Sequence, residues 1–168
     1  MKGLRIEKAT LNVGTGTDQS LLEKGMKLLN SLTNAKPVKT VTHKRIPSWG
    51  ARPGLPVGCK VTVRKDAAVE LIDRILDAKS HTLTENNFDE TGTVSIGIPE
   101  YIDIKGMNYD PDIGIMGLQI CITLERPGFR VKRRKLRSAK ISGSHKISRE
   151  EAMEYMKSKF NVKIGEEE

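Results

Sequence analysis

The chain has 168 residues, 37% of them hydrophobic and 30% charged, with a formal net charge of +8. That length fits one domain with a hydrophobic core, expected to span residues 1–168. The opening "MKGLRIEKAT" lacks the apolar stretch of a signal peptide, and the longest uncharged apolar-rich run, residues 113–124, falls short of the about 20 residues that span a bilayer. The expectation is therefore a soluble, cytoplasmic protein. Cys59 and Cys121 lie far apart, which predicts two buried reduced thiols and no disulfide framework.

In chain order, "RIEKATLNV" (5–13) alternates Ile6, Lys8 and Thr10 against Glu7, Ala9, Leu11 and Val13, and predicts a strand. Residues 17–33 predict a helix capped by Thr17 or Asp18, with Leu21, Leu22, Gly25, Leu28, Leu29 and Leu32 in one apolar stripe. "VKTVTH" (38–43) and "CKVTVRK" (59–65) predict two more strands. In the second, Cys59, Val61 and Val63 oppose Lys60, Thr62 and Arg64. Between them, residues 44–58 hold three prolines and three glycines, which predicts a long irregular hairpin loop.

The spacing over 66–81 predicts a helix capped by Asp66, with Ala68, Leu71, Ile72, Ile75 and Leu76 inward and Glu70, Asp73 and Asp77 outward. "GTVSIGI" (92–98) and "LQICITLE" (118–125) predict strands around an irregular Gly/Asp/Pro-containing stretch. A second long loop is expected over 126–146. Ser148 and Glu151 have the spacing of a capping box, and Ala152, Met156 and Phe160 follow at helical intervals. The tail "GEEE" is expected to fray. Together these elements predict an α+β fold: two layers, a mostly antiparallel sheet with helices on one face, and the other face open.

Charge is distributed in blocks. Residues 24–65 hold ten Lys/Arg and residues 126–146 hold nine, and neither stretch contains an Asp or Glu; residues 66–125 hold three basic and twelve acidic side chains. Nine like charges repel one another unless a polyanion offsets them, and each phosphate contact releases counterions. The candidate cations of the second block are Arg126, Arg130, Lys132, Arg133, Arg134, Lys135 and Arg137. No apolar face accompanies them, which argues against a membrane surface. No helix-turn-helix or zinc-finger pattern points to DNA. Trp49, set between Arg45 and Arg52, suits irregular or folded RNA, or else tucks onto the sheet and organises its loop.

Other chemistries find less support. Gly14 and Gly16 match the first two glycines of a dinucleotide fingerprint, but Gln19 stands at the third, and no Walker lysine is present. The glycine turn serves turn geometry, or its helix-start amides hold a phosphate of a larger polyanion. His43, His81 and His145 lack metal-ligand spacing, so no metal and no cofactor is expected. No catalytic constellation is readable, and no enzymatic activity is expected.

"RIEKATLNVGTG", "PVGCKVTVR", "GIMGLQICITLERPG" and "SGSHKISREEAMEYMKSKFNV" together resemble the large-subunit ribosomal protein L-five family in its archaeal and eukaryotic-type form, from about Arg5 to Val162. The resemblance implies a non-enzymatic protein of the central protuberance that binds 5S rRNA and large-subunit rRNA. It also implies contact between the loop 44–58 (Lys44, Arg45, Trp49, Arg52) and peptidyl-site tRNA. The implied neighbours are the other 5S-binding ribosomal protein and a small-subunit head protein across an intersubunit bridge. Asn12 and Thr62 match residues that contact 5S rRNA in the family, while a glutamine found in some members is Ala35 here. Lys60 and Arg64 flank Thr62 and would add phosphate contacts, and Gly14 and Gly16 would let RNA backbone approach. Two alternatives stand beside this reading: a non-ribosomal RNA chaperone using the basic blocks, and an enzyme built on the glycine turn.

Overall fold

The computed structural model describes residues 1–165. The expected fraying of the tail concerns residues 166–168, which lie outside the described residues; Gly165, counted in that tail, closes a short strand.

The alternation of apolar and polar residues forms the predicted strands. β1 (Arg5–Gly14) buries Ala9, Leu11 and Val13, and β3 (Pro56–Val63) buries Cys59 and Val61. β5 (Thr93–Ile98) buries Val94, Ile96 and Ile98, and β6 (Leu118–Glu125) buries Leu118, Ile120, Ile122 and Leu124. With β2 (Val38–Val41) they form a five-stranded sheet in the order β2-β3-β1-β6-β5. β2 and β3 pair antiparallel, Val38 opposite Lys60, with a bulge between Thr40 and Val41. Along each long strand the intervening side chains stand on the opposite side, so this is an α+β fold with a mostly antiparallel sheet and one open face.

The chain divides into two compact units. The first comprises Met1–Ala9, Arg64–Ile96 and the residues from Cys121 onward; the second comprises Thr10–Val63 and Gly97–Ile120.

In the second unit, α1 (Gln19–Thr33) buries Leu22, Gly25, Leu28, Leu29 and Leu32. Leu21, expected in that stripe, is 40% exposed: it falls on the stripe's edge, one residue from Leu22. Gly25 lets the helix sit close to the sheet, because a Cβ there would meet Cys59 Sγ at 3.0 Å and Val13 Cγ1 at 3.3 Å. The turn Tyr101–Asp103 is anchored by buried Tyr101, whose hydroxyl accepts from the Asp110 amide at 2.9 Å.

In the first unit, α2 (Asp66–Ala78) buries the five predicted residues, Ala68, Leu71, Ile72, Ile75 and Leu76. Asp66 is the first helical residue and not the cap. Lys65, at φ +60°, holds the cap position, and the Asp66 carboxylate favours the helix start by its charge. Two three-residue strands, β4 (Thr82–Thr84) and β7 (Lys163–Gly165), pair in parallel; the sequence pattern contains no sign of them. The short α3 (Arg130–Arg133) breaks the expected loop 126–146. α4 (Arg149–Phe160) opens with the predicted capping box of Ser148 and Glu151 and buries Ala152, Met156 and Phe160. Of the two cysteines, both free, only Cys59 is fully buried; Cys121 is half-buried on β6, its Sγ 3.6 Å from Ser95 Oγ.

Candidate nucleic-acid interface

The first candidate surface belongs to the second unit. Val13 and Cys59 face α1, so strand alternation turns Asn12 on β1 and Lys60 and Thr62 on β3 to the open side. Lys60 and Thr62 are exposed and Asn12 is half-exposed. β1 and β3 are neighbours in the sheet. Asn12 lines an open groove of about 560 Å³ with Gly14, Gly97, Gly117 and Gln119. Nothing lies within 4 Å of where a Cβ on Gly14 or Gly97 would stand, so the groove floor there is bare backbone. Gln119 places a second carboxamide in the groove. The signal for it was present in "LQICITLE", where Gln119 is the polar residue between buried Leu118 and Ile120. Arg64, just past the end of β3, is exposed but belongs to the first unit. Ala35, where some family members carry glutamine, is half-buried, and its amide donates to Thr33 Oγ1 at 3.3 Å.

The glycine turn next to this groove is already occupied by the protein. The Thr15 amide donates to the Val57 carbonyl at 3.0 Å, and Gly16 has φ +62°. The Asp18 carboxylate then caps α1, accepting from the Ser20 amide at 2.9 Å. That bond, followed by the Ser20 hydroxyl, lowers the Asp18 pKa below its ordinary value. The anion at this helix start is a side chain of the chain itself, which disfavours the phosphate considered for these amides.

The loop between β2 and β3 is shorter and more ordered than 44–58. Pro56, Val57 and Gly58 belong to β3; a proline is tolerated as first residue of a strand. Prolines and glycines do not exclude regular structure here, because Ile46 and Ala51 form a two-way bridge at 2.9 and 3.1 Å. Pro47–Trp49 makes a single turn at the tip, closed by Gly50 at φ +64°. Trp49 is 73% exposed, so it points away from the protein and does not tuck onto the sheet. Lys44, Arg45 and Arg52 are exposed around it.

The second candidate surface belongs to the first unit. Its nine cations divide. Arg126 is 5% exposed, and its guanidinium binds the Glu151 carboxylate at the start of α4. Arg133 binds both Glu7 and Glu125. Glu125 also accepts from Arg5 Nε at 2.8 Å. These two arginines, expected to face RNA, instead fasten the segment to β1, β6 and α4. Arg130, Lys132, Arg134, Lys135, Arg137, Lys140 and Lys146 are exposed and make no ion pair among the described residues. Arg134 Nε donates to the Arg137 carbonyl at 2.7 Å, which orders the turn that displays them.

Comparison with known proteins decides the family. Residues 56–158 match the model of the C-terminus of the ribosomal protein L-five family. The chain is 47% identical over 167 residues to the large ribosomal subunit protein uL5 of Sulfurisphaera tokodaii, covering 99% of this chain and 94% of the relative. This chain belongs to the ribosomal protein L-five family. Other members are similarly near: the uL5 of Sulfolobus acidocaldarius is 43% identical over 99% of this chain and 93% of its own, and that of Nanoarchaeum equitans is 42% identical over 98% and 97%. The stretch matched by the family model includes β3, β6, the cationic segment and most of α4, so both candidate surfaces draw on it. Among the described residues no cluster of three or more His, Cys, Asp or Glu is placed to hold a metal ion, and no helix is long and apolar enough to cross a membrane.

Proposed function

We propose that this chain is a structural component of the large ribosomal subunit in the cytoplasm, holding 5S rRNA on its open sheet face and large-subunit rRNA on the cations of residues 130–146. The observation that carries the reading is the outward set Asn12, Lys60 and Thr62 on adjacent strands. A carboxamide donates and accepts, a hydroxyl does both, and a lysine supplies charge, so the set can hold both base edges and phosphates. Bare backbone at Gly14 and Gly97 lets a ribose-phosphate chain lie close. The tip bearing Trp49, Lys44, Arg45 and Arg52 is a projecting aromatic among cations, which suits the elbow of peptidyl-site tRNA. The other 5S-binding ribosomal protein and a small-subunit head protein are the protein neighbours that the family resemblance implies.

The test is a salt-dependent titration of the full chain against 5S rRNA with tRNA as competitor. Selective binding that survives moderate salt is expected. Asn12→Ala with Thr62→Ala should weaken it by roughly 1–3 kcal/mol, the scale of losing buried hydrogen bonds. Binding that does not distinguish 5S rRNA from tRNA of matched length would favour the RNA-chaperone reading. A double variant that binds like the parent would move the 5S site off this face.

A further inference from the structure

One cavity of the first unit has an apolar interior that neither surface described above uses, although three cations of the second surface line it. It has a volume of about 640 Å³ and lies between the cationic segment and the turn that leads into β5. Ile147 is buried at its floor, and Phe129 and Ile141 are half-buried in its walls. Lys132, Lys140 and Lys146 also line it and are exposed, which puts three positive charges at its mouth. An apolar interior with a cationic mouth is complementary to a ligand that has a flat, weakly polar body and an anionic end.

The cavity is built into the fold. Asp89 Oδ2 accepts from Thr91 Oγ1 at 2.5 Å, and the Gly92 amide donates to the Asp89 carbonyl at 3.0 Å. Gly92 sits at φ +75°, and a Cβ there would stand 2.6 Å from Ile147 Cγ2, so the turn rests directly on the cavity floor. On the other side Phe129 meets His145 edge-to-face at 5.7 Å, and His145 Nε2 is held by the Pro127 carbonyl at 3.0 Å. The Phe129 ring is thereby braced by His145, itself held by the Pro127 carbonyl.

We propose that this cavity receives one unstacked nucleotide of the bound ribosomal RNA, its base against Phe129 and its phosphates on Lys132, Lys140 and Lys146. The proposal rests on the RNA-binding reading above. Splayed-out bases in loops and bulges are what proteins read in folded RNA, and aromatic side chains are their usual platform. An RNA also meets the outward Arg130, Arg134, Lys135 and Arg137 of the same segment, since its phosphates recur along the strand. A peptide would need a matching run of acids to do so. Glu90 lines the cavity as well. Ionised, it only accepts hydrogen bonds, so it favours a base that carries an exocyclic amino group over uracil.

The experiment crosslinks the full chain to 5S and large-subunit rRNA with ultraviolet light and locates nucleotide adducts by peptide mass spectrometry. An adduct on the peptide containing Phe129 is expected. Phe129→Leu keeps an apolar side chain but removes the flat ring, and should weaken binding about tenfold, the scale of one base–aromatic stack, without changing the salt slope. Ala139→Trp, at an exposed position lining the cavity, should block it and lose the adduct while Phe129 itself is unchanged. If both variants bind rRNA like the parent and adducts form only elsewhere, the cavity is not a nucleotide site, and the rRNA reading survives. If a carbodiimide instead joins Lys140 to an acidic residue of a ribosomal protein, the occupant is a peptide and the proposal fails. If the parent chain binds no rRNA at low salt, the underlying reading fails first.

Discussion

Residues 24–65 and 126–146 are alike in sequence, each a run of cations with no acid, but the structure treats them differently. In the first run Lys27 alone makes an ion pair among the described residues, with Asp112 at 3.9 Å on an exposed surface. Most of its charges lie on α1 and the β2–β3 hairpin, which are held by apolar packing and backbone pairing. The second run has little regular structure of its own, and it fastens itself with charge: Arg126 to Glu151, Arg133 to Glu7 and Glu125. A segment with few apolar anchors needs some other attachment, and here it diverts part of its cationic content to obtain one. Counting charges along the sequence therefore overstates what the second block can offer to RNA.

The sharpest way to break this distinction is to remove an anchor. Glu151→Gln leaves the Arg126 guanidinium buried with a neutral acceptor. It should cost about 2 kcal/mol in urea unfolding at neutral pH, less than the loss of a fully buried partner because the Glu151 side chain is 41% exposed. The Ser148 amide, followed by Arg126, holds the Glu151 pKa below its ordinary 4.5. A lowered native pKa means that the unfolded chain binds the proton more readily. The stabilisation is thus complete above the ordinary value and is lost as pH falls through the lowered native one. The gap between parent and variant should close across that acid range. A gap unchanged down to the lowest pH would mean that the carboxylate charge is not what anchors the segment.

The complementary test concerns the cations left free. Arg130, Arg134 and Arg137 changed together to Gln should reduce the salt slope of rRNA binding by roughly two to three units. Unfolding in urea should be nearly unaffected, because none of the three makes an ion pair among the described residues and the Arg134–Arg137 bond lost with them orders only an exposed turn. An unchanged slope would place this side of the segment against protein or solvent. A loss of stability would mean that the outward arginines also anchor the segment, and the contrast with Arg126 and Arg133 would disappear.

What the sequence revealed follows the same division. Elements with a repeating apolar period were legible: the alternation of β1, β3 and β6, the stripe of α2, and the box at Ser148–Glu151. β4 and β7 were not, because three residues contain no period and their pairing joins positions about eighty apart. The tip at Pro47–Trp49 was hidden for a different reason, since prolines and glycines mark a turn without saying whether its sides pair. Lys60 and Thr62 could be located from strand alternation, while Asn12 was singled out by the family resemblance. The burial of Arg126 could not, because its partner lies 25 residues on and nothing local distinguishes it from Arg130. Neither could the link from Arg133 to Glu7, which spans 126 residues.

The smallest effect separates the two regions most cleanly. Each cationic run has a capped helix nearby: Asp18 accepts from the Ser20 amide at the start of α1, and Ser148 accepts from the Glu151 amide at the start of α4. Ser148→Ala removes the second bond only and should cost about 1 kcal/mol. Since Glu151 is also the partner of Arg126, the loss should reach beyond the helix end. Amide hydrogen exchange should quicken through the first turn of α4 and around Arg126, while α1 keeps its protection. Ser148→Asp restores a capping acceptor and should restore the protection. Exchange that quickened only at the first turn of α4 would show that Arg126 and the cap act independently, and the anchor would then consist of the ion pair alone.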